Sequence, residues 1–125
     1  MVTQLGNVTV VVSDLSRALK FFRDKVGLRL AFFDKKHDWL CFDTGKAAFS
    51  LTMPWNKKAR KLVGVRTGVS FYVDDVDKTY KDLKKRAVKF SFKPRDEPWG
   101  GRLACFKDPD GNHFFLLQMP AGFAK

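Results

Sequence analysis

Glutamate is nearly missing from this chain of 125 residues: Glu97 is the single one, and histidine is held to His37 and His113. Cysteine is equally scarce. Cys41 and Cys105 lie far apart and outside any CxxC pattern, which excludes a disulfide framework and a thiolate zinc site and leaves two buried thiols as the expectation. No uncharged apolar stretch approaches the roughly 18 residues of a spanning helix, and residues 1–7 lack the basic and apolar blocks of a signal peptide. The expected address is the cytosol, with no membrane partner. Glycine-rich phosphate loops, serine-centred elbows and reactive Cys–His motifs are also absent.

What is present is the material of a packed core: 45% hydrophobic residues, 14% aromatic, and 13 Phe. At this length they suit one domain, 1–125, rather than two independent cores. The net charge of +11 favours anionic or neutral partners over cationic ones. Apart from the acid-free group Lys57, Lys58, Arg60, Lys61 and Arg66, the basic residues are scattered. Zinc-finger spacing, an aromatic-basic RNP string and a basic arm are all missing, so a solvated surface is expected and a nucleic-acid partner is not.

An internal repeat organises the chain. Shifting the sequence by 61 lays Asn7-Val8-Thr9-Val10-Val11-Val12-Ser13-Asp14-Leu15 on Gly68-Val69-Ser70-Phe71-Tyr72-Val73-Asp74-Asp75-Val76. A shift of 65 lays Phe49-Ser50-Leu51 on Phe114-Phe115-Leu116, so the units also end alike. Module one is 1–56 and module two 65–125, with the boundary in 54–67. Each opens with a β-branched and aromatic run, 8–12 and 69–73, that reads as a strand. A helix follows each, capped by Ser13 or Asp14 and by Asp74 or Asp75. Leu15, Ala18, Leu19, Phe22 and Val26 fall at helical spacing, as do Val76, Tyr80, Leu83 and Ala87, while Gly27 supplies a left-handed stop. Arg17, Lys20, Arg23, Lys78, Lys81 and Lys84 then point outward. Three more strands complete each module: 28–33, 39–42 and 47–53, then 88–92, 102–106 and 113–118. Asp108-Pro109-Asp110-Gly111-Asn112 lacks the distal carboxylate of a calcium loop and reads as a turn.

The fold class expected is α+β: two βαβββ modules forming a cupped mixed-sheet cleft with helices outside. Val12-Ser13-Asp14-Leu15-Ser16-Arg17-Ala18-Leu19-Lys20-Phe21-Phe22, Val26-Gly27-Leu28, Phe71-Tyr72-Val73-Asp74-Asp75-Val76-Asp77, and Pro98-Trp99-Gly100 through Arg102 to Phe106-Lys107-Asp108-Pro109-Asp110-Gly111-Asn112 carry a resemblance. In their order and spacing the chain resembles the vicinal oxygen chelate superfamily of glyoxalase I, bleomycin-resistance proteins and extradiol dioxygenases. That resemblance implies paired βαβββ modules and a homodimer. It also implies a divalent metal held by His, Glu or Gln from the first and last strands of the modules.

The corresponding positions here are Asn7, Ser50, Gly68 and Phe115, none of which is a strong ligand for a borderline or hard cation. The expectation is therefore a site with no metal and no other cofactor. Strand alternation then predicts a cleft lined by Asn7, Thr9, Val11, Ala48, Ser50, Thr52, Gly68, Ser70, Tyr72, His113, Phe115 and Leu117. The ligand-binding set expected is Asn7, Thr9, Ser50, Thr52, Ser70, Tyr72, His113 and Phe115 of these, with Trp39 and Trp99 as walls and Arg102 from the second-module motif. Such a surface suits a small organic molecule, neutral or anionic and aromatic, bound or sequestered without catalytic residues. The competing expectation is a metal-dependent lyase or dioxygenase with a displaced site at His113, approached by His37 or Asp43.

Overall fold

The computed structural model describes residues 1–122 and forms two compact units, Met1–Val65 and a second beginning at Arg66. The first contains β1 (Asn7–Val11), α1 (Leu15–Lys20), a π-helical continuation (Phe21–Val26), β2 (Arg29–Asp34), β3 (Trp39–Asp43), β4 (Ala48–Thr52) and a 3-10 turn (Ala59–Leu62). The second contains β5 (Arg66–Tyr72), α2 (Val76–Lys85), β6 (Lys89–Asp96), β7 (Arg102–Lys107) and β8 (His113–Gln118). Each unit holds one four-stranded mixed sheet, ordered β1-β4-β3-β2 and β5-β8-β7-β6. In both, the first strand runs parallel to the last, and the two remaining pairings are antiparallel. Among the described residues no helix is long and apolar enough to cross a membrane.

The duplication extends to the caps. Asp14 accepts the Arg17 amide at 3.0 Å and Asp75 the Lys78 amide at 3.1 Å, both from extended backbone, so Asp14 and Asp75 are the N-caps rather than Ser13 and Asp74. The six basic residues expected to point outward are all exposed. The first helix departs from simple α geometry. Its last turn widens to π, with the Gly27 and Leu28 amides both reaching the Phe22 carbonyl, before Gly27 leaves at φ 94°. Within it the adjacent residues Phe21 and Phe22 are both buried, their rings edge-on at 5.0 Å. In unit two the stop is Ala87 at φ 64°, so it lies beyond α2 and exposed, and Val88 takes the buried place.

Each helix covers one sheet face. In unit one the fully buried Phe22 packs against Phe49 at 5.2 Å and Phe42 at 6.0 Å. In unit two, Tyr80 of α2 meets Phe90 edge-on at 4.6 Å, and Phe71, Phe90, Phe106 and Phe114 form the aromatic layer beneath. The 108–112 segment is a turn held by one carboxylate: Asp108 accepts from the Asp110 and Asn112 amides and from Asn112 Nδ2 at 2.8–3.0 Å. Its burial pushes the Asp108 carboxyl above the usual range. β6 runs past the expected 92 to Asp96, and Pro94 is tolerated there because β6 is an edge strand.

The unit-one core predicts the cost of its deletion. Phe22→Ala should lose about 3–5 kcal/mol of stability in urea denaturation, the range for emptying a buried phenylalanine site. A loss under about 1 kcal/mol would show that Phe22 does not anchor this layer.

Candidate functional site

The sheet face opposite the helix carries the candidate chemistry in each unit, and the two faces differ. In unit one, β1–β4 pairing sets Thr9 beside Ser50 and Asn7 beside Ala48. Ser50 Oγ donates to Asn7 Oδ1 at 2.7 Å, and Asn7 Nδ2 donates to Thr9 Oγ1 at 2.9 Å. The three polar side chains thus answer one another. Trp39, in register with Thr52 on the same face, is half-buried with its ring 5.5 Å from Phe32. The Thr52 hydroxyl is turned to backbone, donating to the Met53 carbonyl at 3.2 Å.

In unit two the corresponding face opens a cavity of about 290 Å³ lined by Arg66, Gly68, Ser91, Phe92, Arg95, Cys105, His113 and Phe115. Two backbone irregularities build it. Five residues of β5, Arg66 to Ser70, span three of β8, His113 to Phe115, so two extra residues loop out. Gly68 takes φ 72° in that loop, and Thr67 pins it by donating to the His113 carbonyl at 2.7 Å while accepting the Val69 amide. The glycine is needed for this backbone rather than for room, since a Cβ there would meet nothing within 4 Å. In β6 the register slips between Phe90 and Phe92, so these residues face opposite sides: Phe90 toward α2, Phe92 beside Cys105. A second slip returns Arg95 to the face of Phe92.

Phe92 and Phe115 form tilted aromatic walls with centroids 6.4 Å apart. The Arg95 guanidinium lies 3.8 Å over the Phe92 ring and donates through Nε to Glu97 at 3.2 Å. His113 Nδ1 is buried and has no hydrogen-bond partner among the described residues. Leaving such an atom unpaired costs about 1–3 kcal/mol, which a ligand able to bond it would recover.

Of the eleven residues expected to bind ligand, His113 and Phe115 meet in this cavity. Asn7, Thr9 and Ser50 form the unit-one cluster, with Trp39 and Thr52 on the same face. Ser70 and Tyr72 lie on the face of Phe115 and Leu117 but outside the cavity, with Tyr72 exposed. Trp99 is exposed, its ring occupying the space where a Cβ on Gly101 would sit. Arg102 departs from expectation: it lies on the helix side, donating to Asp77 of α2 from Nε and Nη2 at 3.0 Å each and to Asp96 from Nη1 at 3.1 Å. That pairing lowers the Asp77 carboxyl below its usual range. Arg66, Ser91, Phe92, Arg95 and Cys105 were missed. Arg66 fell in the basic boundary segment, and the β6 residues depend on slips that simple alternation does not report.

The metal expectation of the resemblance can be tested on the donors themselves. Asn7 and Ser50 bond to each other, Gly68 has no side chain, and Phe115 presents a ring, so the four positions do not fit a divalent cation. Among the described residues no three His, Cys, Asp or Glu side chains converge for one. His37 is paired with Asp34 at 2.9 Å, and Asp43 with Arg29.

Two βαβββ units, each with its first strand parallel to its last, define the class to which this fold belongs. The chain is a member of the Glyoxalase/Bleomycin resistance protein/Dioxygenase superfamily, whose family model matches residues 4–116. A superfamily member from Sphaerobacter thermophilus DSM 20745 is 33% identical, with a TM-score of 0.83 over 94% of this chain and 98% of that one. TnmS3, an antibiotic binding protein from Streptomyces sp. CB03234, is 32% identical, with a TM-score of 0.79 over 94% and 96%. The protein YraH of Bacillus subtilis (strain 168) is 31% identical over 93% of this chain and 98% of its own.

Gly68→Ala should lose about 1–2 kcal/mol in denaturant titration, a purely conformational cost because the added methyl meets open space. An unchanged midpoint would show that the β5 loop does not need its left-handed residue. The Asp77–Arg102 pair adds a pH signature. A carboxyl lowered in the folded state contributes stability above its unfolded pKa and loses it as pH falls through the folded one. Asp77→Asn should therefore flatten acid destabilisation in that range, read as thermal midpoint against pH, and an unaltered profile would rule the pair out as a contributor.

Proposed function

We propose that this protein binds or sequesters a small organic molecule without a resident metal ion or other cofactor, the ligand being a neutral or anionic aromatic compound. The observation that carries the reading is the neutral donor set of Asn7, Ser50, Gly68 and Phe115, with the first two side chains satisfying each other. Binding chemistry then rests on apolar enclosure and a few polar contacts, which the Phe92, Phe115 and His113 cavity offers. Kinship with an antibiotic-binding protein supports the same reading. The surplus of basic residues favours anionic over cationic ligands. No residue is assigned a catalytic role. A cytosolic homodimer completes the proposal, for which equilibrium sedimentation is the direct measurement.

The test combines metal analysis of protein purified without added ions with thermal-shift screening of anionic and neutral aromatics, glutathione conjugates and antibiotics. Metal should be well below stoichiometric, and a true ligand at a hundredfold excess over its dissociation constant should add about 2.7 kcal/mol, with or without chelator. Stoichiometric zinc, nickel, iron or manganese whose removal abolishes binding would overturn the reading in favour of a lyase or dioxygenase.

A further inference from the structure

The unit-two cavity contains more cationic chemistry than a generic apolar pocket needs. Arg66, Arg95 and His113 line it, and no carboxylate does. Arg66 stands opposite His113 in the β5–β8 register, and its guanidinium has no carboxylate partner among the described residues. Arg95 lies over the Phe92 ring and uses only Nε on Glu97, leaving its two terminal nitrogens to turn toward a bound acceptor. The buried Nδ1 of His113 is a third polar atom in want of a partner. Phe92 and Phe115 supply flat walls, and about 290 Å³ is room for one or two fused rings rather than a large natural product.

We propose that this cavity is an acid subsite, in which the carboxylate of a mono- or bicyclic aromatic acid is held by Arg66, Arg95 and His113 Nδ1 while its ring lies against Phe92 and Phe115. The proposal rests on the small-molecule reading above and narrows it to one ligand class. The acid accepts hydrogen bonds from two guanidiniums, and His113 takes the tautomer with hydrogen on Nδ1 and donates the third. A free inorganic anion would use the same cations and leave the rings idle, so the arene distinguishes the two sources.

The experiment titrates the full chain calorimetrically with 2-naphthoate, its neutral isostere 2-naphthamide, and inorganic phosphate. Naphthoate should bind at least about tenfold more tightly than naphthamide, the discrimination expected of charge-assisted hydrogen bonds, and more tightly than phosphate. Arg66→Gln combined with Arg95→Gln, both at exposed positions, should bring the two naphthalenes within about twofold of each other. His113→Phe, which keeps a ring in place, should weaken naphthoate more than naphthamide, whose carbonyl oxygen is a weaker acceptor for the same Nδ1–H. Phe92→Leu should weaken both. Equal binding of naphthoate and naphthamide by the unaltered chain overturns the acid subsite while leaving the small-molecule reading intact, and so does a naphthoate preference that survives the double arginine change. Phosphate binding as tightly as naphthoate overturns the aromatic part. Absence of binding by every probe also overturns the subsite, and the wider reading is then decided separately by the thermal-shift screen.

Discussion

The constraint on which the rest depends is the parallel pairing of the first and last strands in each unit. Parallel neighbours cannot be joined by a tight turn, so the intervening chain must travel through a helix and a hairpin before returning. That route fixes which face the helix covers, and so which side chains of the paired strands stand on the other. Thr9 meets Ser50, and Ser70 meets Phe115, because β4 lies beside β1 and β8 beside β5. The apolar residues that drive the packing alternate with these, and a one-residue slip in either strand would exchange core for site.

From that common plan the two units have taken different courses. Unit one keeps strict register between β1 and β4, and Asn7, Thr9 and Ser50 close on one another. Mutual satisfaction is stable but leaves little bonding capacity for anything else. Unit two loops out two residues of β5 around Gly68 and slips β6 twice, which opens the sheet surface and brings arginines and phenylalanines to one place. Bulges re-aim side chains at small backbone cost, and here they separate a mutually hydrogen-bonded face from one that holds a cavity.

Much of this frame was legible from the residues. The 61-residue repeat reported the duplication because equivalent positions face equivalent packing, and the aspartate caps recur with it at Asp14 and Asp75. His113 and Phe115 were legible because β8 alternates without interruption. Arg102 went to the wrong face, since the alternation of β7 becomes useful only once its register against β8 is known. Phe92 and Arg95 were hidden for a related reason. Phe90 and Phe92 are two apart in sequence and should share a face, yet the slip between them places one under α2 and the other in the cavity. The π turn escaped as well, because it is set by the Gly27 and Leu28 amides reaching the Phe22 carbonyl, which the 3.6-residue period of the side chains does not report.

The net charge and the cavity's lining share a sign, but the first does not account for the second. Most of the basic residues are exposed, where water and salt reduce their fields within about 10 Å. What distinguishes Arg66 and Arg95 is their company. They stand beside an apolar wall and a buried imidazole nitrogen that folding has left unpaired. An unsatisfied donor or acceptor is a liability in a structural core, and proteins rarely keep one there. In a cavity it has a different meaning, because the desolvation cost has already been met during folding and a ligand that completes the bond does not bear it again. The unpaired Nδ1 thus ties the β5 loop, whose Thr67 holds the His113 backbone, to the acid subsite proposed at the same residue.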